Sequence, residues 1–498
     1  MSEANETHED HSRERHDEKT PTRPVSRREF LKIAGIAGVA VGASAGLGGI
    51  LAACGEEETT TTTAGATTTT AAASTTTTAP ASTTTVSTAA ETGREIKLGF
   101  VTPTTGPLAS FGVPDGYCVE RAQEVLGDGI VCGDGLKHPV TIKVVDSQSD
   151  PNRASQVAGD LILNDKVDII LVASAPDTVV PVSGQAEALG TPCLSCDAPW
   201  QSYMEPRTGG DLTAVFKWTY HVFFGGEDSF DIMADVFHRL PTNNVLALLY
   251  ANSSDGNAVH DVELPVLEEM GFTVIDGSGF APGTEDFTSI ISMFKKAGAE
   301  LGHGLLDPTD FINFWKQAIQ QSWLPTTSIW GKALLFPQSV EAIGPIGYNL
   351  CADQWWGADW PYKSALLGET CRQFADDYEA RTDSQWTQPV AHFMLFEWAY
   401  DVLSRTASVD DKDAIMTAVK STKLETILGT VDFSAPVEPV GPPWAAGPRH
   451  VVENVYKINH PAAQWVKGTK WPFDLVTVSN AGCPAIPVAA ELQPYTVS

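Results

Sequence analysis

Basic side chains are scarce in this chain. Its 498 residues carry 32 Lys and Arg against 62 Asp and Glu, a net charge of −30 at neutral pH. Nucleic acids and anionic membrane surfaces are bound through basic faces, so neither is an expected partner. Catalytic signatures are missing as well. From Gly93 onward there is no GxSxG elbow, no HExxH, no phosphate-cradling glycine loop and no clustered set of metal ligands. The expectation is a protein without catalytic residues, cofactor or metal. A hydrolase built on two of the many aspartates is the rival from another class, and turnover of a bound compound is what would reveal it.

Residues 59–90 lack aromatic side chains altogether, and Val86 is their only branched aliphatic. Such a Thr/Ala/Ser stretch cannot bury enough apolar surface to offset the entropy of ordering, and it reads as a tether with an r.m.s. span of roughly 30 Å. Ahead of it, residues 33–53 are apolar but hold six glycines and few large aliphatics, which makes a poor membrane-spanning helix. The flanks carry more information. Ser26-Arg27-Arg28-Glu29-Phe30-Leu31-Lys32 resembles a twin-arginine export signal, and Leu51-Ala52-Ala53-Cys54 resembles the lipobox of bacterial lipoproteins. These resemblances imply that residues 1–53 are removed, that the Cys54 sulfur carries lipid, and that 54–94 form a linker. The protein is then expected on the outer face of the bacterial cytoplasmic membrane, where two acyl chains hold what one cannot.

With Cys54 given to lipid, Cys118, Cys132, Cys193, Cys196, Cys351, Cys371 and Cys483 remain, an odd number for an exported chain. Cys118 with Cys132 and Cys351 with Cys371 are the expected bridges. Cys193-Leu194-Ser195-Cys196 has CxxC spacing, but it follows Pro192 at a strand rather than opening a helix, so a redox or metal role is not expected.

Short apolar runs alternate with helix-period segments through the rest of the chain. Residues 96–101, 140–145, 167–173, 245–250 and 272–275 read as buried strands. Ala154, Val157, Ala158, Leu161 and Ile162 share one helical face after a cap and first-turn proline at Asp150-Pro151. The repeated βαβ pattern predicts an α/β protein of mainly parallel sheets flanked by helices, and some 400 residues suit two lobes rather than one core.

The opening strand at 96–101, followed by Thr105-Gly106-Pro107 and Phe111-Gly112, resembles the start of type I periplasmic binding proteins of the branched-chain amino acid transporter family. Residues 146–151, 157–163 and 186–192 and Asp286-Phe287-Thr288 continue that pattern in order, so the resemblance covers about residues 95–433. It implies two α/β lobes joined by crossover strands. Residues 95–220 with 348–430 would form lobe one, 221–347 with 431–498 lobe two, and 216–220 the first crossing. It also implies closure over a small organic ligand that is handed to the permease subunits of an ABC importer. A receptor passing occupancy to a membrane kinase would look the same in sequence.

The same resemblance places the ligand's carboxylate at residues 174–178 and 195–200. Ser174 and Thr178 offer hydroxyls where a helix begins, although ordinary capping is the alternative reading. Asp177 and Asp197 would repel a carboxylate unless neutralised, and Ala198 offers backbone. Thr105 belongs to the same expected set. Phe111 lies where the family has an aromatic wall, and Trp200 is expected as a second wall unless it is core. Asp255-Gly256 stands where amino-acid binders have an aromatic residue before a glycine. Lys332 stands where they have an acid for the ammonium, unless that lysine is merely solvated. The reversed sign points to a carboxylate or amino acid derivative rather than a plain branched-chain amino acid. Asp255 and Asp307 could instead receive an amine or amide.

Overall fold

Two kinds of strand environment organise the chain, which is described here by a computed structural model covering residues 90–253, 256–257, 259–440 and 447–497. The export segment, Cys54, most of the linker and Asp255 lie outside the described residues. The strands of the first sheet are β1 (Ile96–Thr102), β2 (Val140–Asp146), β3 (Ile169–Val172), β4 (Cys193–Cys196) and β5 (Thr219–Val222). Those of the second are β6 (Val245–Ala251), β7 (Thr273–Phe280), β8 (Leu301–Leu306), β9 (Thr327–Lys332) and β10 (Cys351–Asp353). The chain then returns to the first sheet with β11 (His450–Val452) and β12 (Val455–Tyr456) and ends in the second with β13 (Ala462–Lys467) and β14 (Phe473–Ser479).

The first sheet runs β11-β12-β5-β4-β3-β1-β2, with every pair parallel except β11 with β12. The second runs β14-β13-β10-β9-β8-β6-β7, parallel from β7 to β10 and antiparallel through β13 and β14. Helices cover both faces, as parallel sheets require. The helix Pro151–Asp160 shows how local sequence sets them. Asp150 accepts the Arg153 N–H at 2.8 Å, Pro151 opens the first turn, and Ala154, Val157 and Ala158 are buried against the sheet.

This topology shifts two parts of the expected division. β10 lies in the second sheet although 348–430 were expected in lobe one, and β11 and β12 lie in the first although 431–498 were expected in lobe two. Residues 219–222 are likewise a strand of the first sheet, so the first crossing comes just after them, at 223–225. The second and third crossings follow β10 and β12. Strands of two or three residues carry too little pattern to announce which sheet they join.

The crossings are held together by a buried ion cluster. Lys457 Nζ lies 2.6 Å from Glu227 Oε1 and 2.9 Å from Asp228 Oδ1, with all three side chains buried. Trp200 Nε1 donates to the same Glu227 carboxylate at 3.0 Å. Gly225 makes this meeting possible, since a Cβ there would collide with the Trp200 indole and the Glu227 carboxylate. His460, on the third crossing, stacks on Phe224 of the first with ring centroids 3.6 Å apart.

The expected disulfides are not formed. Cys118, Cys132, Cys351 and Cys371 are all buried and unpaired, as are Cys193, Cys196 and Cys483. Cys118 turns its thiol to the Val390 carbonyl at 3.3 Å and Cys371 to the Ile427 carbonyl at 3.3 Å, while Cys351 sits inside the second sheet. Cys351 and Cys371 thus belong to different lobes, which sequence spacing does not reveal.

Candidate functional site

In open parallel sheets, ligands bind beyond the carboxyl ends of the strands where the strand order reverses. That reversal lies between β1 and β3 in the first sheet and between β6 and β8 in the second. The strand ends concerned carry Thr102, Ser174 and Asp197 in lobe one and Asp307 and Lys332 in lobe two.

On the lobe-one side, Ser174 ends the segment after β3 with φ 86° and begins the 14-residue helix Ala175–Ala188. Its side chain is fully buried, yet its Oγ has no hydrogen-bond partner. Thr178 is also buried and its Oγ1 lies 3.3 Å from Ser147 Oγ. Asp177, in the first turn, is exposed. Thr105 is exposed as well, and its hydroxyl donates to Asp146 Oδ2 at 2.6 Å, bracing the loop after β1 instead of standing open to a ligand.

Asp197 has φ 67° and is 4% exposed. Its Oδ2 lies 3.0 Å from Nε2 of His392, whose Nδ1 lies 2.7 Å from Asp115 Oδ1. Thr102, at the end of β1, donates its hydroxyl to the other Asp115 oxygen. Burial alone would lower the His392 pKa, but the two carboxylates override it and hold the ring at about 9. The repulsion expected of Asp197 is therefore met by a neighbouring cation. Sequence reasoning missed Asp115 and His392. The available signal was a lone titratable side chain in the apolar run Val390-Ala391-His392-Phe393-Met394, which must find a partner when buried.

Ala198 is buried and its carbonyl accepts from His221 Nε2 at 2.7 Å. Burial lowers the His221 pKa to about 3, so this ring is neutral. Trp200 differs from expectation. It packs in the outer core of lobe one with Tyr203 and Val451 and gives its N–H to Glu227, so it serves the crossing and not an aromatic wall of the cleft.

Phe111 meets lobe two directly. Its ring stands edge-on to Phe336, 4.9 Å between centroids at 83°, and both rings are buried. Phe336 precedes the helix Pro337–Ile343 that follows β9. Gln388 adds polar links close by: Oε1 accepts the Trp355 N–H at 2.8 Å, and Nε2 donates to the Asp353 carbonyl at 3.0 Å. Lys332 ends β9 on a left-handed backbone, φ 58°, half-buried. Asp307 precedes the helix Pro308–Gln320 in an exposed, extended conformation. Among the described residues, no group of His, Cys, Asp and Glu is arranged to hold a metal ion.

Two mostly parallel sheets flanked by helices and joined by three crossings are the arrangement of a two-lobed binding protein. A family model described as periplasmic binding protein matches residues 95–445. The chain belongs to that family. More closely, it is a type I periplasmic binding protein of the branched-chain amino acid transporter group. The Leu/Ile/Val-binding protein homolog 3 of Brucella melitensis is 25% identical over 220 residues, 43% of this chain and 55% of that relative. Among solved structures, the branched-chain amino acid transporter substrate-binding protein of Streptococcus pneumoniae, in complex with isoleucine, has a TM-score of 0.60 at 16% identity, covering 77% of this chain and 99% of its own. An ABC transporter solute-binding protein of Rhodopseudomonas palustris BisB5, in complex with 3,4-dihydroxybenzoic acid, has a TM-score of 0.60 at 16% identity, covering 79% and 99%. The family and fold are those of solute-binding proteins rather than enzymes, and periplasmic binding proteins work outside the cytoplasm.

Proposed function

We propose that this periplasmic binding protein is a lipid-anchored receptor that captures a small organic carboxylate or amino acid derivative between its lobes and delivers it to the permease of an ABC importer. Ser174 carries the reading. A buried hydroxyl without a partner costs about 1–3 kcal/mol, which a ligand oxygen accepting from it would recover. The hydroxyl stands at the start of a long helix, whose free N–H groups favour an anion. The His392 cation offsets Asp197 beside it. Lys332 at the opposite edge favours a carboxylate or another acceptor there over an ammonium. The twin-arginine and lipobox resemblances at residues 26–54 supply the address and the anchor.

A thermal-shift panel on the full chain tests this, comparing isoleucine and leucine with amine-free aliphatic and aromatic carboxylates, 3,4-dihydroxybenzoate among them. A ligand at 100 times its Kd adds about 2.7 kcal/mol, a readily measured shift. Stabilisation by amine-free acids is the expected result. Stabilisation by branched-chain amino acids alone would return the protein to the ligands named for its relatives.

A further inference from the structure

His392 touches two separate segments of the lobe-one lip. It bonds Asp115, in the helix Asp115–Leu126 behind β1, and Asp197, in the turn after β4. The three side chains are no more than 4% exposed. Each ring nitrogen faces a carboxylate oxygen, and a neutral imidazole has only one N–H to give, so the arrangement is satisfied when both nitrogens are protonated. Asp197 gains most from this. Its left-handed backbone is strained for a non-glycine residue and needs an external restraint, which the ring supplies. The opposite relation is to the second crossing: the Trp355 indole lies over the His392 ring, centroids 6.1 Å apart and 16° from parallel. Trp355 directly follows Gln354 and Asp353 of β10, and its N–H is held by Gln388, four residues before His392.

We propose that His392 is a positioning residue of the cleft: donating both ring N–H groups to Asp115 and Asp197, it fixes the lobe-one lip against the second crossing, so that lobe closure depends on both ring protons. The inference rests on the cleft being the ligand site. Asp115 and Asp197 are the charged groups that bond the ring, and Trp355 faces it from the crossing. Removing the outer proton leaves a nitrogen lone pair facing a buried carboxylate. The Asp197 turn then loses its restraint, and the stack on Trp355 loses its cationic partner.

The test uses the full chain with ¹⁵N-labelled histidine, His392→Gln identifying the signal. A second readout is the interlobe distance between spin labels at Leu163→Cys and Leu324→Cys, both exposed in the native chain. In the native protein the His392 ring is expected to stay doubly protonated at pH 8, and the interlobe distances to broaden as it deprotonates above that. Asp197→Asn keeps the shape but removes one carboxylate. It is expected to weaken the ring's hold on its proton about tenfold and to move the distance change by the same interval. The Kd of isoleucine or 3,4-dihydroxybenzoate, whichever binds, is expected to rise about tenfold over the same pH range. A ring that is singly protonated at pH 7, or a distance change that ignores Asp197→Asn, overturns the proposal. Failure of every acid to bind would overturn the ligand reading instead, because the ring and distance measurements need no ligand.

Discussion

The lobe-one lip, although Thr105 and Asp177 are exposed on it, joins Thr102, Asp115, His392 and Asp197 in one buried chain. The lobe-two lip does the reverse: Asp307 is exposed and Lys332 half-buried at the strand ends. Buried networks are costly to change, because removing one member strands the others away from water. Exposed and half-buried charges are cheap to change, since water screens them. On the proposed reading, lobe one is the fixed jaw and lobe two the side on which a change of ligand class would leave the fold intact.

Four outcomes break or sharpen that contrast. The largest is expected for Asp115→Ala, which leaves His392 with one carboxylate and Thr102 without its acceptor. A loss of about 3–5 kcal/mol in chemical denaturation is expected, and a loss near zero would remove the distinction between the jaws. Alkaline pH comes next. The His392 ring sits at about 9 in the folded protein, above the ordinary value of about 6.5. Its stabilisation is therefore complete below about pH 6.5 and fades as pH rises through the folded value. Amide exchange, corrected for its intrinsic pH dependence, is expected to accelerate around Asp197 but not around Asp307.

Phe336→Leu keeps an apolar side chain but loses the edge-on ring pair with Phe111, at a cost of about 1 kcal/mol. Its signature is a wider distribution of interlobe distances at unchanged pH, and an unaltered distribution would mean that the pair does not hold the jaws. The smallest effect on stability is expected for Lys332→Glu, below about 1 kcal/mol. This variant is nonetheless expected to abolish stabilisation by amine-free acids. A change in stability with no change in ligand preference would place the lysine on the structural side of the contrast.

The fold was legible wherever a pattern is local. The strands beginning at Ile96, Val140 and Val245 start where their apolar runs start, and the Asp150-Pro151 cap acts as its sequence suggests, but Val140–Asp146 is a half-exposed edge strand and not the buried one its apolar run predicts. The order of short motifs, not any single one, identified the family. What escaped was long-range. β11 and β12 are three and two residues long, and nothing in them announces a return to the first sheet. Among candidate site residues, Ser174, Asp197 and Lys332 do stand at the carboxyl ends of strands, whereas Trp200 was drawn away by Glu227, 27 residues downstream. The Asp115–His392 pair spans 277 residues, and only the folded topology brings such partners together.

The seven thiols of the folded part have a practical consequence. Burial pushes the thiols of Cys193 and Cys351 up to about 12, so at neutral pH the reactive thiolate is all but absent. Among the described residues there is then no disulfide pairing to be sorted as the chain folds. Adding reductant is expected to leave the melting curve of this fold in place. The durability of the described fold is a matter of tight packing, with no disulfide to lose.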